Sequence, residues 1–187
     1  MKIGIFGISG AGKSFFVSKI CSKNTGFIGT KASKIIAQAS NKILLHELTL
    51  KQVDSNQLAL INGFKYFYDK NKNKNKNIII ELHNLIETPT GIVEIDDYVI
   101  DSLNLDVACF LFIPPEIIFN QRLNDISRVR ATMSICGLKE LQDRSLSKFN
   151  STFTRENIPF IKLTESNLKP FLSFVRELEV KRESSNN

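Results

Sequence analysis

The chain has 187 residues, enough for one domain with a sheet covered on both faces. Its 42% apolar content supports a core, but no apolar run reaches the roughly 20 residues of a helical membrane span. The formal charge of +6 raises nucleic-acid binding as a class. Part of that charge is local, however, in the alternating tract Lys70-Asn71-Lys72-Asn73-Lys74-Asn75-Lys76-Asn77. That tract buries nothing, reads as a solvated loop, and has no aromatic among its lysines to stack a base. Cys21, Cys109 and Cys136 show no paired spacing, no His/Cys cluster suggests a structural metal, and the chain starts directly on an apolar segment. These features predict reduced thiols and a cytoplasmic setting.

Lys2-Ile3-Gly4-Ile5-Phe6 reads as the first strand. It runs straight into Gly7-Ile8-Ser9-Gly10-Ala11-Gly12-Lys13-Ser14, a complete G-x-x-x-x-G-K-[ST] phosphate-binding loop. A helix over Lys13 to Asn24 follows, with Phe16, Val17, Ile20 and Cys21 on one stripe. Gly26 to Gly29 reads as a second strand and Lys31 to Asn41 as a helix. Asp54 and Ser55 offer N-cap chemistry for a helix running to about Lys70, on which Leu58, Ile61, Phe64 and Phe67 recur. Ile78 to Leu82 is a continuous apolar run, as a central parallel strand should be.

Thr88-Pro89-Thr90-Gly91 predicts a turn and Asp96 to Leu103 a short helix. Val107 to Ile113 is another apolar strand, and Pro114-Pro115 opens the next helix, which ends near Asp125. Ile126 to Gly137 lacks a helical stripe and reads as a loop or small lid. A helix from Leu138 to Glu156, a strand from Pro159 to Leu163, a helix from Asn167 to Lys181 and a polar tail within 182–187 complete the chain. Five strands alternating with helices predict a doubly wound α/β domain with a parallel sheet.

The motif carries its own chemistry. Its glycines let successive N–H groups of Ser9, Gly10, Ala11, Gly12 and onward to Phe15 face an α- or β-phosphate, and the helix N-terminus adds partial positive charge. Lys13 would reach the β- and γ-phosphates of ATP, and the Ser14 hydroxyl would hold Mg²⁺. A second carboxylate is needed for that ion, and Glu81 is the candidate because it ends the Ile78-Ile79-Ile80 run. His83, two residues on, would point the same way. Phosphoryl transfer also needs cations over the moving group, which Arg122, Arg128 and Arg130 supply. In an extended segment, the spacing of Arg128 and Arg130 puts both forks on one side.

From Asn77 to Glu165 the chain is similar to archaeal-type adenylate kinases, a branch of the nucleoside monophosphate kinases. Ile80-Glu81-Leu82-His83 stands where that family has an apolar strand ending Asp-Thr-His, and Thr88-Pro89-Thr90-Gly91 matches its Thr-Pro-x-Gly turn. Ser102-Leu103-Asn104-Leu105-Asp106-Val107 resembles its Glu-Leu-Asn-Pro-Asp stretch. Arg122 to Arg130 resembles the lid pattern Arg-x-x-Asp-x-Thr-Arg-x-Arg. The resemblance implies a P-loop NTPase fold of adenylate kinase type, with ATP and Mg²⁺ at the loop and a lid over 122–137. It also implies a monophosphate acceptor, AMP first, under helices within 30–70, with Thr30, Lys31, Ser33, Lys51 and His83 as substrate-binding candidates.

Glu81 replaces the family's Asp, Gln121 precedes Arg122 where a second arginine is usual, and Ala131 stands where the lid has an Asp. Lys51 appears where an arginine would take the acceptor phosphate, a point charge in place of a fork. Two readings follow: a nucleoside monophosphate kinase, and a regulatory ATP-binding switch of the same fold with slow hydrolysis. The expected partners are small-molecule nucleotides, with no membrane and with nucleic acid a distant third. The resemblance extends to homo-oligomers, and the switch reading to a regulatory protein partner.

Overall fold

A computed structural model describes residues 1–39, 50–88, 91–125, 133–164 and 168–185, without the side chains of 50–54 and 185. The strands are β1 (Lys2–Phe6), β2 (Phe27–Lys31), β3 (Asn77–Glu81), β4 (Leu85–Thr88), β5 (Gly91–Glu94), β6 (Val107–Leu111) and β7 (Phe160–Leu163). The α-helices are α1 (Lys13–Lys23), α2 (Ala32–Ala39), α3 (Leu50–Asn71), α4 (Asp97–Ser102), α5 (Pro115–Asn124), α6 (Ile135–Arg155) and α7 (Leu168–Ser185). Five strands form one parallel sheet in the order β2-β3-β1-β6-β7, while β4 and β5 pair separately as an antiparallel hairpin. This is the α/β fold expected from the alternation of elements.

Strand parity divides the core into two layers. Ile3, Ile5, Ile79, Val107, Cys109 and Leu111 face one side, against Phe16, Val17 and Ile20 of α1 and Phe171 and Val175 of α7. Phe6, Ile78, Ile80, Ala108 and Phe110 face the other, against Phe64 of α3, Val99 of α4 and Phe149 and Phe153 of α6. Strands buried on both faces need no polar alternation, so β3 and β6 read as unbroken apolar runs.

The structure moves several boundaries. α3 is already helical at Leu50, so Asp54 and Ser55 lie inside it and do not cap it. Leu50, Lys51 and Gln52 are good helix formers, and they carry the helix past that local capping chemistry. Leu58 is 56% exposed, whereas Leu60 and Phe64 are buried. A strict three-residue repeat drifts around a helix of 3.6 residues per turn, and that drift carries Leu58 to the outside. The Lys/Asn tract is more ordered than a free loop: Lys72–Lys74 form a 3₁₀ turn, and buried Asn71 donates from Nδ2 to the Phe67 carbonyl at 2.8 Å.

The turn at Thr88 belongs to a hairpin, with residues 89–90 outside those described. Residues 135–137 open α6, because the Ser134 side chain accepts from the Gly137 N–H at 3.1 Å and caps it. α7 runs to Ser185, well into the segment expected to be a polar tail.

One reason for that extension is Asp106, which follows α4 at the start of β6. It accepts from the Lys2 N–H at 2.6 Å and from Arg182 Nη2 at 2.8 Å, tying the end of α7 to the sheet. Burial alone pushes the Asp106 carboxyl up, but the hydrogen bonds from Arg182 and Lys2 and the nearby positive charges outweigh it, leaving the group below the usual carboxylate range. A depressed folded value adds stability above the unfolded value of about 4, and that stability is lost as pH falls through the lower folded value. Asp106→Asn should therefore destabilise the protein at pH 7, with the gap to wild type closing toward about pH 3 or below. Urea unfolding across that range checks this, and a gap independent of pH would contradict it.

Candidate active site

The site forms where β1 gives way to α1. Gly10 and Gly12 adopt φ of 85° and 80°, a left-handed backbone that residues with a Cβ rarely take, and this curls the loop. Gly10 is also crowded: a Cβ there would lie 2.9 Å from Cγ of Arg122. Ala11 is buried and Ser9 half-buried. The Phe15 side chain is 65% exposed.

Lys13 is buried rather than displayed on an open loop. Its Nζ folds back to donate to the carbonyls of Gly7 at 2.7 Å and Ile8 at 3.0 Å, and lies 3.4 Å from Nδ1 of His83. Ser14 Oγ donates to Glu81 Oε2 at 2.6 Å. The sheet register brings them together, since Glu81 stands level with Ile5 of β1 and with Lys31 of β2. Glu81 shares the parity of Ile79, so its side chain turns to the α1 face where Ser14 sits. A hydroxyl and a carboxylate are hard oxygen donors that suit Mg²⁺, with water and phosphate filling the remaining positions. Among the described residues no group of three or more His, Cys, Asp or Glu could hold a metal ion by itself.

Arg122 reaches the loop from α5. Its Nε and Nη2 donate to the Ser9 carbonyl at 3.0 and 2.8 Å. Nη1 and Nη2 also meet Glu87 Oε2 and Oε1 at 2.9 and 2.6 Å, a bidentate pair with side chains 8% and 18% exposed. Sequence reasoning missed Glu87, although Leu85-Ile86-Glu87-Thr88 and Gly91-Ile92-Val93-Glu94 around a two-residue link are a legible hairpin signal. The hairpin is held elsewhere too. Buried Asn84 donates from Nδ2 to the Ser145 carbonyl at 2.8 Å and accepts from Ser145 Oγ at 2.6 Å. Glu94 accepts from Arg144, and that hydrogen bond draws its carboxyl below the ordinary range.

On the neighbouring strand Thr30 is buried, and among the described residues its Oγ1 has no hydrogen-bond partner; the same holds for Oδ1 of buried Asn56 on α3. Lys31 ends β2 and Ser33 lies in the first turn of α2, both half-buried. The structure thus brings together Lys13, Ser14, Glu81, His83 and Arg122. Lys51 lies on α3 with its side chain outside the described set, and Arg128 and Arg130 lie outside the described residues altogether.

Comparisons with known proteins bear on the family and the fold. The sequence model of the AAA domain family matches residues 6–139, and the chain belongs to that family. Among solved structures it is similar to shikimate kinase from Bacteroides thetaiotaomicron, at 15% identity and TM-score 0.58 over 100% of this chain and 99% of that one. It is also similar to an unliganded sugar kinase from Janibacter sp. HTCC2649, at 16% identity and TM-score 0.55 over 94% of each chain. A third is deoxyadenosine kinase from M. mycoides with bound dATP, at 18% identity and TM-score 0.51 over 100% of both chains. No curated protein matches the sequence. The protein has the α/β P-loop NTPase fold that these kinases share. No helix among the described residues is long and apolar enough to cross a membrane.

Because Lys13 satisfies two loop carbonyls, it is part of the loop's structure as well as a cation. Lys13→Met keeps the stem but removes the ammonium from both carbonyls, leaving Ile8 O with only the Ala11 N–H at 3.2 Å, and should lower stability by about 1–3 kcal/mol. Urea unfolding of the ligand-free protein checks this. A gain in stability would mean that desolvating the ammonium outweighs its hydrogen bonds.

Proposed function

We propose that the protein is an ATP-dependent nucleoside monophosphate kinase, with AMP the first acceptor to test. The observation that carries this reading is the 2.6 Å contact between Ser14 Oγ and Glu81 Oε2 beside the buried Lys13. These residues form a phosphate cradle with a cation and two hard oxygen donors at one end. On this reading Ser14 and Glu81 hold Mg²⁺, which when bound neutralises charge on the phosphates. The backbone N–H groups from Ser9 to Phe15 line the cradle, and Lys13 leaves its carbonyls for the β- and γ-phosphates. An acceptor phosphate oxygen attacks the γ-phosphorus, the bond to the bridging oxygen breaks, and ADP leaves.

Transfer to an acceptor, rather than to water alone, is supported by the buried and unpartnered hydroxyl of Thr30 at the end of β2. A desolvated hydroxyl without a partner costs about 1–3 kcal/mol, so a ligand that meets it is favoured. Thr30, Lys31, Ser33, Lys51 and His83 form the acceptor side in this proposal. Arg128 and Arg130 serve the moving phosphoryl, and Arg122 serves the loop, since Glu87 already meets its charge. The kinase fold of the three solved relatives, over nearly the whole chain, is consistent with the same class of reaction.

The test is an ATP and Mg²⁺ assay with AMP, GMP, CMP, UMP or dTMP and an acceptor-free control. Nucleoside diphosphate formed from at least one acceptor is expected. Inorganic phosphate released at the same rate with and without acceptor would favour the regulatory ATPase switch instead. Arg128→Ala and Arg130→Ala should each lower kcat by roughly a hundredfold while changing ATP affinity far less. Lys51→Ala should raise the acceptor KM and leave the ATP KM nearly alone, as the two phosphates occupy different halves of the cleft. Normal turnover with weakened ATP binding in both arginine variants would show them to be ground-state binders.

A further inference from the structure

The geometry points to Glu87 as a positioning residue that presets the phosphate loop through Arg122. This inference rests on the proposed use of that loop for a nucleotide, and it adds a residue outside the motif. A trans peptide holds its C=O and the following N–H on opposite sides. Ser9 O faces Arg122, with both Nε and Nη2 donating to it. The Gly10 N–H on the same peptide plane is therefore turned away from Arg122.

The fork can hold that carbonyl only while it is itself held. A guanidinium with its side chain 8% exposed needs a counter-charge, and Glu87 supplies one through two parallel hydrogen bonds. The stem of Arg122 also packs closely on the loop, its Cγ 2.9 Å from where a Gly10 Cβ would lie. Glu87 is fixed in turn by its hairpin, which is anchored at its base by the Asn84–Ser145 pair. The chain of contacts runs from hairpin to carboxylate to guanidinium to Ser9 carbonyl to the orientation of one cradle amide. Both carboxylate oxygens of Glu87 are taken up by Arg122, so its effect on the cradle passes through that guanidinium.

Two readouts test this, one of them independent of any ligand. Wild type, Glu87→Gln, Arg122→Lys and Glu94→Gln are compared by amide hydrogen exchange over residues 7–14 in the ligand-free protein. The same four are titrated with a non-hydrolysable ATP analogue and Mg²⁺. Glu87→Gln keeps the shape and removes the charge, while Arg122→Lys keeps the charge and removes the fork. Both should speed exchange in the loop and weaken analogue binding by about tenfold. Glu94→Gln loosens the exposed clamp of the same hairpin to Arg144 and should change neither, which separates positioning from general loosening of the hairpin.

Unchanged loop exchange in both Glu87→Gln and Arg122→Lys would overturn the inference, as would tighter analogue binding in Glu87→Gln, the behaviour of an inhibitory latch. If Glu87→Gln does not fold, Arg122→Lys alone decides by the same measurements. Loop exchange that responds as expected in a protein that binds no nucleotide would leave the relay standing and defeat the proposed function.

Discussion

The site depends on the register of β3 against β1. Glu81 stands level with Ile5, one residue before the strand gives way to the loop, and its parity matches Ile79 on the α1 side. A slip of one residue would turn the carboxylate to the opposite face, among Phe6, Ile80 and Phe110, where an ion has no partner. The buried isoleucines of β3 therefore do more than fill the core. They hold a charge at the single position where Ser14 Oγ can reach it.

Charge burial sets a second condition. The loop encloses Lys13, and the pair Arg122–Glu87 lies largely out of water beside it. Each cation is met by acceptors that the fold supplies: two carbonyls for Lys13, a carbonyl and a carboxylate for Arg122. Such groups are expensive to bury unless partnered, and the fold supplies those partners itself. On the proposed reading, an entering phosphate would compete with the loop carbonyls for Lys13, whereas Arg122 already faces the Glu87 carboxylate. Ligand binding should then stabilise the folded chain by mass action.

Much of this was legible in the sequence because local chemistry and global fold agree there. The run Ile78-Ile79-Ile80-Glu81 announces a central strand ending in a carboxylate, and Gly10, Gly12, Lys13 and Ser14 announce the loop. What was not legible depends on contacts between distant segments. Nothing in the spacing of Glu87 and Arg122 marks them as a pair; only the fold of the hairpin over the loop joins them. The burial of Lys13 is not legible in the motif, because only the curled backbone offers its ammonium two carbonyls. Asp54 and Ser55 misled for the opposite reason, since a strong local capping signal was overridden by helix formers upstream. Thr30 enters the sequence reading through the resemblance, whereas the lack of a partner for its hydroxyl among the described residues shows only in the fold.

The Arg122–Glu87 pair also bears on how catalysis would be divided. A cation fixed in the ground state, with its charge already met, interacts with a bound nucleotide much as it does with the transition state. Uniform binding of that kind tightens a complex without lowering the barrier of the chemical step. Rate acceleration must come from groups whose contact with the γ-phosphoryl grows as the bond breaks. On the proposed reading these are Lys13, once drawn from its carbonyls, and Arg128 and Arg130 in the segment after α5. Arg122 lies on α5, two residues before its last residue, Asn124. Arg128 and Arg130 follow that helix in the sequence, so the proposed division of labour falls between Arg122, whose charge Glu87 meets in the ground state, and two arginines outside the described residues.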